Sequence, residues 1–284
     1  MEPRVFKCVA ITGSTGYIGG RFARKIESLG ARVVRVGRVS SQEEIVQMFE
    51  VDRPDIVFHF ASLFIADHSP DQVTPLVESN ILFGARLLEA MKISGVANLV
   101  YAGSSWQRFG DSGEWPVNLY AATKNAFTEL VRYYVDAHSF KALQLLIYDS
   151  YGPDDPRGKL LTTLFGGKGQ HGNAGTKLSP GLQRVCFVHV DDVVRGFEIA
   201  GKRIQSGMIS KIEEFVLRPK SAVTLRESIQ EIENLTGVRP VIEWGARPYR
   251  KREVMEPWDG GVVLPEWEPK KSFQEGAKDL LGGY

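Results

Sequence analysis

A tyrosine and a lysine stand four residues apart in the segment Tyr120-Ala121-Ala122-Thr123-Lys124. On an α-helix, side chains at positions i and i+4 lie on one face, about one turn apart. A free phenol has a pKa near 10 and is a poor acid or base at neutral pH, but a neighbouring ammonium favours the phenolate. Tyr120 and Lys124 are therefore candidates for general acid–base chemistry, although pairs with this spacing also arise by chance.

Two serines lie upstream of this pair, in the segment Gly103-Ser104-Ser105. They follow an apolar run that predicts a central strand of a parallel sheet, and ligands bind at the carboxyl edge of such sheets. A serine hydroxyl, the Tyr120 phenol and a bound nicotinamide could therefore converge there on a carbonyl carbon.

A glycine-rich segment, Thr12-Gly13-Ser14-Thr15-Gly16-Tyr17-Ile18-Gly19, directly follows the first predicted strand. Its glycines allow a tight turn, a close approach of the main chain to a pyrophosphate, and close packing of helix on strand. Exposed N–H groups and the helix dipole then attract the anion. The position between a strand and a helix predicts a dinucleotide-binding loop; a glycine-rich turn without a ligand is the alternative. The candidate binding residues are Gly13, Thr15, Gly16, Tyr17, Ile18 and Gly19.

The residues after the second predicted strand bear on which nicotinamide cofactor binds. An acidic side chain there would bond the adenosine ribose and repel a 2′-phosphate. The sequence instead reads Val36-Gly37-Arg38, and an arginine can pair with a phosphate through two hydrogen bonds. This favours NADP (as NADPH) over NAD. A solvated surface charge at Arg38 is the alternative.

Short apolar runs alternate with longer helical patterns through the first half of the chain. The predicted strands are 7–12, 31–36, 56–61, 99–102 and 143–148, and the predicted helices are 19–29, 42–49, 72–94 and 119–138. Continuous apolar strands are typical of a parallel sheet with helices on both faces. We therefore predict an α/β fold, with a Rossmann doubly wound parallel sheet and a smaller C-terminal substrate-binding lobe.

The pattern changes after Tyr151-Gly152-Pro153, where glycine, proline and aspartate become frequent. We predict a dinucleotide-binding Rossmann domain over residues 1–150 and a mainly substrate-binding lobe over residues 151–284. Within the second range, 184–200 is expected to return to the Rossmann sheet. A glycine-dense stretch spans 166–175.

Composition excludes several classes of protein and partner. The 284 residues carry 35 lysines and arginines against 34 acidic residues, a net charge of +1, so no global field favours nucleic acid or an anionic membrane. Two distant cysteines form neither a disulfide scaffold nor a metal cluster, and no metal is expected. No segment approaches the roughly 18 apolar residues that span a bilayer. No signal-peptide core follows Met1, so a cytoplasmic location is expected.

Together these segments resemble an extended short-chain dehydrogenase/reductase of the NAD-dependent epimerase/dehydratase family. The resemblance covers nearly the whole chain in order, and it also includes residues 58–61, 80, 84, 87–90, 104–105, 151–153 and 184–192. It implies that Tyr120 is the acid–base. It implies that Lys124 contacts the cofactor ribose and lowers the tyrosine pKa, and that Ser105 bonds the substrate oxygen. Ser105 is preferred to Ser104 because of its spacing from Phe109-Gly110, where the family commonly has Tyr-Gly.

The resemblance also implies further binding residues. Ala61, Asn80 and Tyr148 would join the glycine-rich loop around the dinucleotide. Arg184 and Arg250 resemble arginines that hold the diphosphate of a sugar nucleotide, with surface charge as the alternative. Asp149 stands where relatives commonly have an amide that meets this diphosphate, and an anion there would repel phosphate unless protonated or turned away.

The residues beside Ser105 bear on the reaction. Dehydratases of the family carry an Asp-Glu pair there, where this chain has Trp106 and Gln107, so sugar dehydration is not expected. Members that epimerise and then reduce have a cysteine next to the serine, which this chain lacks. Epimerases retain NAD and gain nothing from selecting NADP, so Arg38 favours net reduction by an exchangeable NADPH. Segment 245–255 is similar to that of bacterial reductases of the abequose synthase group.

The predicted function is NADPH-dependent reduction of a nucleotide-diphosphate-linked 4-keto-6-deoxysugar to a deoxysugar for surface polysaccharide. The alternatives are an NAD(P)-dependent nucleotide-sugar epimerase and a non-catalytic dinucleotide-sensing protein. The presence of both Tyr120 and Lys124 counts against the latter. The resemblance further implies a homodimer formed through the helix of Tyr120, where Leu130, Val131 and Tyr134 could form the interface or belong to the chain's own core.

Overall fold

The computed structural model describes residues 6–38, 40–166 and 175–281, so most of the glycine-dense stretch 166–175 lies outside the described residues. The strands are β1 (Cys8–Thr12), β2 (Arg32–Val36), β3 (Ile56–His59), β4 (Asn98–Ser104), β5 (Lys141–Ile147), β6 (Asp149–Tyr151), β7 (Thr176–Leu178), β8 (Arg184–Val185), β9 (Phe187–His189), β10 (Ile212–Leu217), β11 (Val223–Thr224) and β12 (Ile242–Trp244).

The α-helices connect these strands. They are α1 (Tyr17–Ser28), α2 (Gln42–Asp52), α3 (Val73–Val77), α4 (Phe83–Ile93), α5 (Leu119–His138), α6 (Leu160–Phe165), α7 (Val190–Gln205), α8 (Leu225–Thr236) and α9 (Phe273–Asp279). A π-helical turn, Glu78–Leu82, joins α3 to α4, and short 3₁₀ helices span Pro70–Gln72 and Ser105–Gln107. The predicted helix 72–94 is therefore helical but contains a change of helix type.

The main sheet has six parallel strands in the order β10-β5-β4-β3-β1-β2. Strands β1, β3, β4 and β5 are fully or largely buried, as a sheet covered on both faces requires. The edge strand β2 is partly exposed. The strand order reverses between β1 and β3, and in such sheets ligands bind at the carboxyl edge near this point. The predicted α/β Rossmann fold is confirmed.

Two apolar layers separate the sheet from its helices. On one face, Phe22 of α1 and Phe197 of α7 pack with Phe58 and Phe60, at ring-centroid distances of 4.4 to 6.1 Å. On the other face, buried side chains of α2, α4 and α5 pack on the sheet. The sheet is thus held rigidly between helices, and its carboxyl edge remains open to form a site.

The C-terminal part of the chain contributes to both lobes. A third apolar cluster joins α6, α8 and α9 outside the main sheet. By contrast α7 packs against β5 and α1, and β10 pairs with β5 as the sixth strand of the main sheet. The elements of the C-terminal part that return to the main sheet are therefore α7 and β10. The division of the chain at residue 150 into a dinucleotide-binding domain and a substrate-binding lobe stays a prediction. Within the described residues, every helix is too short or too polar to cross a membrane.

Candidate active site

The turn after β1 is built from main chain. Gly13 has a positive φ of 67°, and a Cβ atom there would lie 2.7 Å from the main-chain nitrogen of Ala61. The N–H of Gly16 donates to the Gly13 carbonyl at 2.9 Å. Among the described residues, no side chain caps the N-terminus of α1, which follows the carboxyl end of β1. This arrangement fits a phosphate-bearing dinucleotide, because uncapped N–H groups and the helix dipole favour an anion.

A first cavity of about 470 Å³ opens at this turn. Its wall includes Gly13, Gly16, Tyr17, Ile18 and Gly19, together with both Tyr120 and Lys124. The structure therefore brings five of the six predicted loop residues and the predicted acid–base pair to one space. Thr15 is exposed and lies outside this wall.

The N-terminal turn of α5 carries the Tyr120 side chain. Asn118 caps this helix, its Oδ1 accepting from the N–H of Ala121 at 3.0 Å. The Tyr120 ring is 8% exposed and packs edge-to-face on Phe64 at a centroid distance of 5.0 Å. Burial raises the pKa of the Tyr120 phenol, and the hydroxyls of Ser62 and Ser104 oppose this shift. The phenol is thus held in its protonated form at neutral pH.

Lys124 lies one turn further along α5 and is also buried, at 3% exposure. Burial lowers its pKa to about 8. The charged groups and hydroxyls that oppose the pKa shift of Tyr120 are Ser62, Ser104 and Arg157 rather than Lys124. Burial is thus the main cause of the Tyr120 pKa shift, and the lowering of the tyrosine pKa by Lys124 stays a prediction.

The two serines of the predicted site face different spaces. Ser104, the last residue of β4, lines the first cavity beside Tyr120. Ser105 begins the following 3₁₀ helix and lines a second cavity instead. The register with Phe109-Gly110 favours Ser105, whereas the hydroxyl that lowers the pKa of the Tyr120 phenol belongs to Ser104. The chain direction changes between the two residues, and this separates their side chains.

The second cavity, of about 280 Å³, adjoins the first. Phe64, Tyr148, Ser150 and Lys159 line both. Tyr148 donates its hydroxyl to the carbonyl of Trp258, which also lines the second cavity. The shared wall means that a molecule in the second cavity can reach one in the first.

Charged side chains line the second cavity, and they include the predicted Asp149, Arg184 and Arg250. Arg184 donates to the carbonyl of Ala222 and lies 3.7 Å from a carboxylate oxygen of Glu256. The guanidinium of Arg250 lies 5.6 Å from the centre of the Trp106 ring. The predicted substrate-binding residues therefore meet in one place, although they come from distant parts of the chain.

Besides Thr15, three predicted dinucleotide residues lie outside the walls of both cavities. Arg38 is exposed, two residues beyond β2, with its guanidinium 3.4 Å from Ser79 Oγ. Ala61 is buried behind the glycine turn and donates its N–H to Thr12 Oγ1 at 3.1 Å. Asn80, in the π-helical turn, bonds the main chain of Leu63 and the hydroxyl of Thr123. Ala61 and Asn80 thus position the loop after β3 and helix α5.

Sequence reasoning did not find Arg157 and Lys159. Arg157 pairs with the buried carboxylate of Asp155 at 2.6 Å, and its guanidinium lies 4.7 Å from the Tyr17 ring centre. Lys159 lies 4.3 Å from the centre of the Phe64 ring, and burial lowers its pKa. Both follow Tyr151-Gly152-Pro153 in a loop without periodic pattern, so only the charge-rich composition of that loop could have indicated them.

Two other expectations concern metals and dimerisation. Among the described residues, no group of three or more His, Cys, Asp and Glu side chains is arranged to hold a metal ion.

Val131 and Tyr134 are buried in the chain's own core, at 0% and 9% exposure. Both side chains therefore belong to the chain's own core, and the homodimer stays a prediction.

The doubly wound sheet, the uncapped helix N-terminus and the cavity at the carboxyl edge define a Rossmann-type α/β protein with a site suited to a dinucleotide. Residues 9–212 match the sequence model of the NAD dependent epimerase/dehydratase family, and the chain belongs to this family. It is accordingly an NAD(P)-dependent enzyme of that family, and the resemblance noted in its motifs is confirmed.

Individual relatives are distant. CDP-abequose synthase of Salmonella typhimurium is 22% identical over 296 residues, covering 96% of this chain and 97% of that protein. CDP-abequose synthase of Yersinia pseudotuberculosis is 26% identical, covering 66% of this chain and 70% of its own. UDP-glucose 4-epimerase of Thermus thermophilus, solved with NAD, has a TM-score of 0.79 at 23% identity, covering 96% of this chain and 97% of its own. At this identity the structural similarity shows the fold.

Proposed function

We propose that this enzyme reduces a nucleotide-diphosphate-linked 4-keto-6-deoxysugar with NADPH. The observation that carries the proposal is the junction of the two cavities. A protonated phenol lies in the first cavity, and the adjoining second cavity has the arginines and lysine that a sugar diphosphate requires. Full-length similarity to CDP-abequose synthase supports this class of substrate.

Bound NADPH supplies the hydride for such a reduction. The neutral phenol of Tyr120 donates its proton to the oxygen that develops negative charge. The raised pKa suits this step, because a reduction begins with the phenol protonated, whereas an oxidation would need the phenolate. Lys124, buried in the same wall, bonds the cofactor ribose while its amine is protonated, below about pH 8.

The serines divide two roles in this proposal. Ser105, which lines the second cavity, bonds the substrate oxygen, and the hydroxyl of Ser104 favours ionisation of the Tyr120 phenol as the proton is transferred. The surroundings of Gln107 argue against dehydration. Its side-chain amide forms hydrogen bonds with Asn125, Gln144 and the main chain of Ser104. That side chain is engaged in the fold and offers neither an acid nor a base to a sugar.

Arg38 supports the choice of NADP. It stands beyond β2, and the end of β2 pairs with Thr12 directly before the glycine turn. An exposed guanidinium at this edge, with no acidic residue at positions 37 or 38, suits a 2′-phosphate. A cytoplasmic location and a homodimer remain part of the prediction.

An NAD(P)-dependent nucleotide-sugar epimerase is the second candidate, favoured by the structural similarity to a UDP-glucose 4-epimerase. Cofactor content separates the two. The purified protein is denatured, and the released dinucleotide is identified by chromatography. A reductase should release little dinucleotide and should bind added NADPH reversibly. Stoichiometric NAD retained through purification would overturn the proposal in favour of the epimerase.

A further inference from the structure

The carboxyl group of Asp149 lies in the wall of the second cavity without a direct partner. Its main-chain N–H donates to the carbonyl of Cys186 at 3.1 Å, and this fixes the residue in the β6–β9 pair. Among the described residues, its carboxylate oxygens take part in none of the hydrogen bonds or ion pairs. Asp149 is half-buried, and a partly desolvated carboxyl group without a partner is costly.

The charged groups around Asp149 come from three segments. Lys159 and Arg250 favour its ionised form, and Glu253 opposes it. The Cys186 thiol lies behind it, and burial raises the thiol pKa to about 11, so this group stays neutral near pH 7. The net effect of burial on Asp149 is to raise its pKa.

Glu253 provides a contrast in the same wall. It accepts from the main-chain N–H of Arg250 at 3.2 Å and lies 3.9 Å from the Arg250 guanidinium. Its carboxylate is therefore compensated within the protein. Asp149 differs because, among the described residues, no cation lies within ion-pair distance of its carboxylate. In the described part of the chain, Lys159 forms no ion pair and Arg250 forms only the long one with Glu253, so both can also face a bound anion.

A diphosphate needs the same cations that face Asp149. Bound between Lys159 and Arg250, it would place its negative charge beside the Asp149 carboxylate, and like charges in a desolvated wall repel strongly. A protonated carboxyl removes this repulsion and gains an O–H donor, which a phosphate oxygen accepts.

We propose that Asp149 takes up a proton when the diphosphate of the substrate binds, and that its carboxyl group then donates a hydrogen bond to a phosphate oxygen. This rests on the proposed function, because it places a nucleotide-linked sugar in the second cavity. Asp149 thereby couples substrate affinity to pH.

The direction of the pH dependence follows from linkage. The diphosphate raises the pKa of Asp149 further above its value in the free protein, so binding takes up a proton at any pH between these two values. In that window affinity falls as pH rises, by up to about tenfold per pH unit for one proton. Below the pKa of Asp149 in the free protein, or above its pKa in the complex, the titration of Asp149 gives no pH dependence of the affinity.

The test is isothermal titration calorimetry with CDP-glucose and UDP-glucose, at saturating NADP⁺ and from about pH 6 to about pH 8. The diphosphate diester of these ligands does not titrate in this range. Two buffers of different ionisation enthalpy give the number of protons bound with the ligand. We expect a net uptake of protons with the ligand, and affinity that falls as pH rises. Asp149→Asn should abolish both effects, and its thermal unfolding reports whether it is folded.

Two control variants identify the group that takes up the proton. Glu253→Gln removes a compensated carboxylate from the same wall and should keep the uptake. Lys159→Arg keeps a permanent cation and should also keep it, whereas loss of uptake would assign the proton to the lysine. Binding without proton uptake in the wild type would overturn this inference and leave the proposed function intact. If neither nucleotide sugar binds, the proposed function fails with it.

Discussion

The two cavities are built in different ways. The first contains the main-chain turn of residues 13–19 and one face of α5, with the rest of its wall coming from the stretches 60–64, 102–104, 147–150 and 156–159. Among the described residues, the second contains no such glycine turn and is lined from seven separate stretches of sequence, around Phe64, Trp106, Tyr148, Lys159, Arg184, Leu225 and Arg250. The first suits a cofactor whose phosphates are bound by backbone N–H groups, whereas the second can change its specificity through single side chains.

The largest expected effect is the loss of turnover when Tyr120, which lines the first cavity, is replaced. Tyr120→Phe removes the proton donor, and general acid–base catalysis typically contributes about 10²- to 10⁴-fold in rate. Turnover should fall by that factor while NADPH affinity, measured by fluorescence titration, stays nearly unchanged. Tyr134→Phe is the matched control on the same helix, because that phenol bonds Glu89 in the core. Equal losses in both variants would show that the phenol of Tyr120 has no special role.

The backbone character of the first cavity is tested by Gly13→Ala. The added Cβ would lie 2.7 Å from Ala61 N at a positive φ of 67°, and a left-handed conformation alone costs roughly 1–2 kcal/mol for an L-residue. We expect at least about tenfold weaker NADPH binding, equivalent to about 1.4 kcal/mol, with a lower unfolding temperature. Gly95→Ala has a similar φ of 71° and open space around it, so it should lose stability but keep NADPH affinity. Unchanged affinity in Gly13→Ala would mean that the dinucleotide does not approach this turn.

The one side chain assigned to cofactor choice is Arg38. A hydrogen bond to a charged group contributes about 1.5–3 kcal/mol, so Arg38→Ala should weaken NADPH by about 10- to 100-fold and leave NADH nearly unchanged. Arg35→Ala, which removes an exposed guanidinium paired with Glu27 at 2.6 Å, should alter neither affinity. Equal losses for NADPH and NADH in Arg38→Ala would rule out a contact with the 2′-phosphate.

The smallest effects concern the two serines, one in each cavity. A neutral hydrogen bond contributes about 0.5–1.5 kcal/mol, so each alanine variant should change a kinetic constant by at most about tenfold. Ser104→Ala should lower kcat, because its hydroxyl meets the Tyr120 phenol, and Ser105→Ala should raise KM. The reverse pattern in steady-state kinetics would exchange their roles.

The same contrast explains what the sequence could predict. The strands β1 to β5, the glycine turn and the Tyr120–Lys124 spacing follow from local periodicity and turn chemistry, so they are visible in short segments. Lys159 and Arg157 lie in a loop without a period, and their position against Phe64 and Tyr17 depends on tertiary packing. The placement of Ser104 and Ser105 in different cavities depends on where β4 ends, and helix and strand boundaries are the least predictable feature of a sequence.

The central claim is net reduction at the junction of the two cavities. It is tested most directly with NADPH carrying deuterium at the transferable position of the nicotinamide and a CDP-linked 4-keto-6-deoxyhexose. The account predicts one NADPH consumed for each sugar reduced, with deuterium at C4 of the sugar. Conversion of a nucleotide sugar to its epimer with no net loss of NADPH and no deuterium in the product would contradict it.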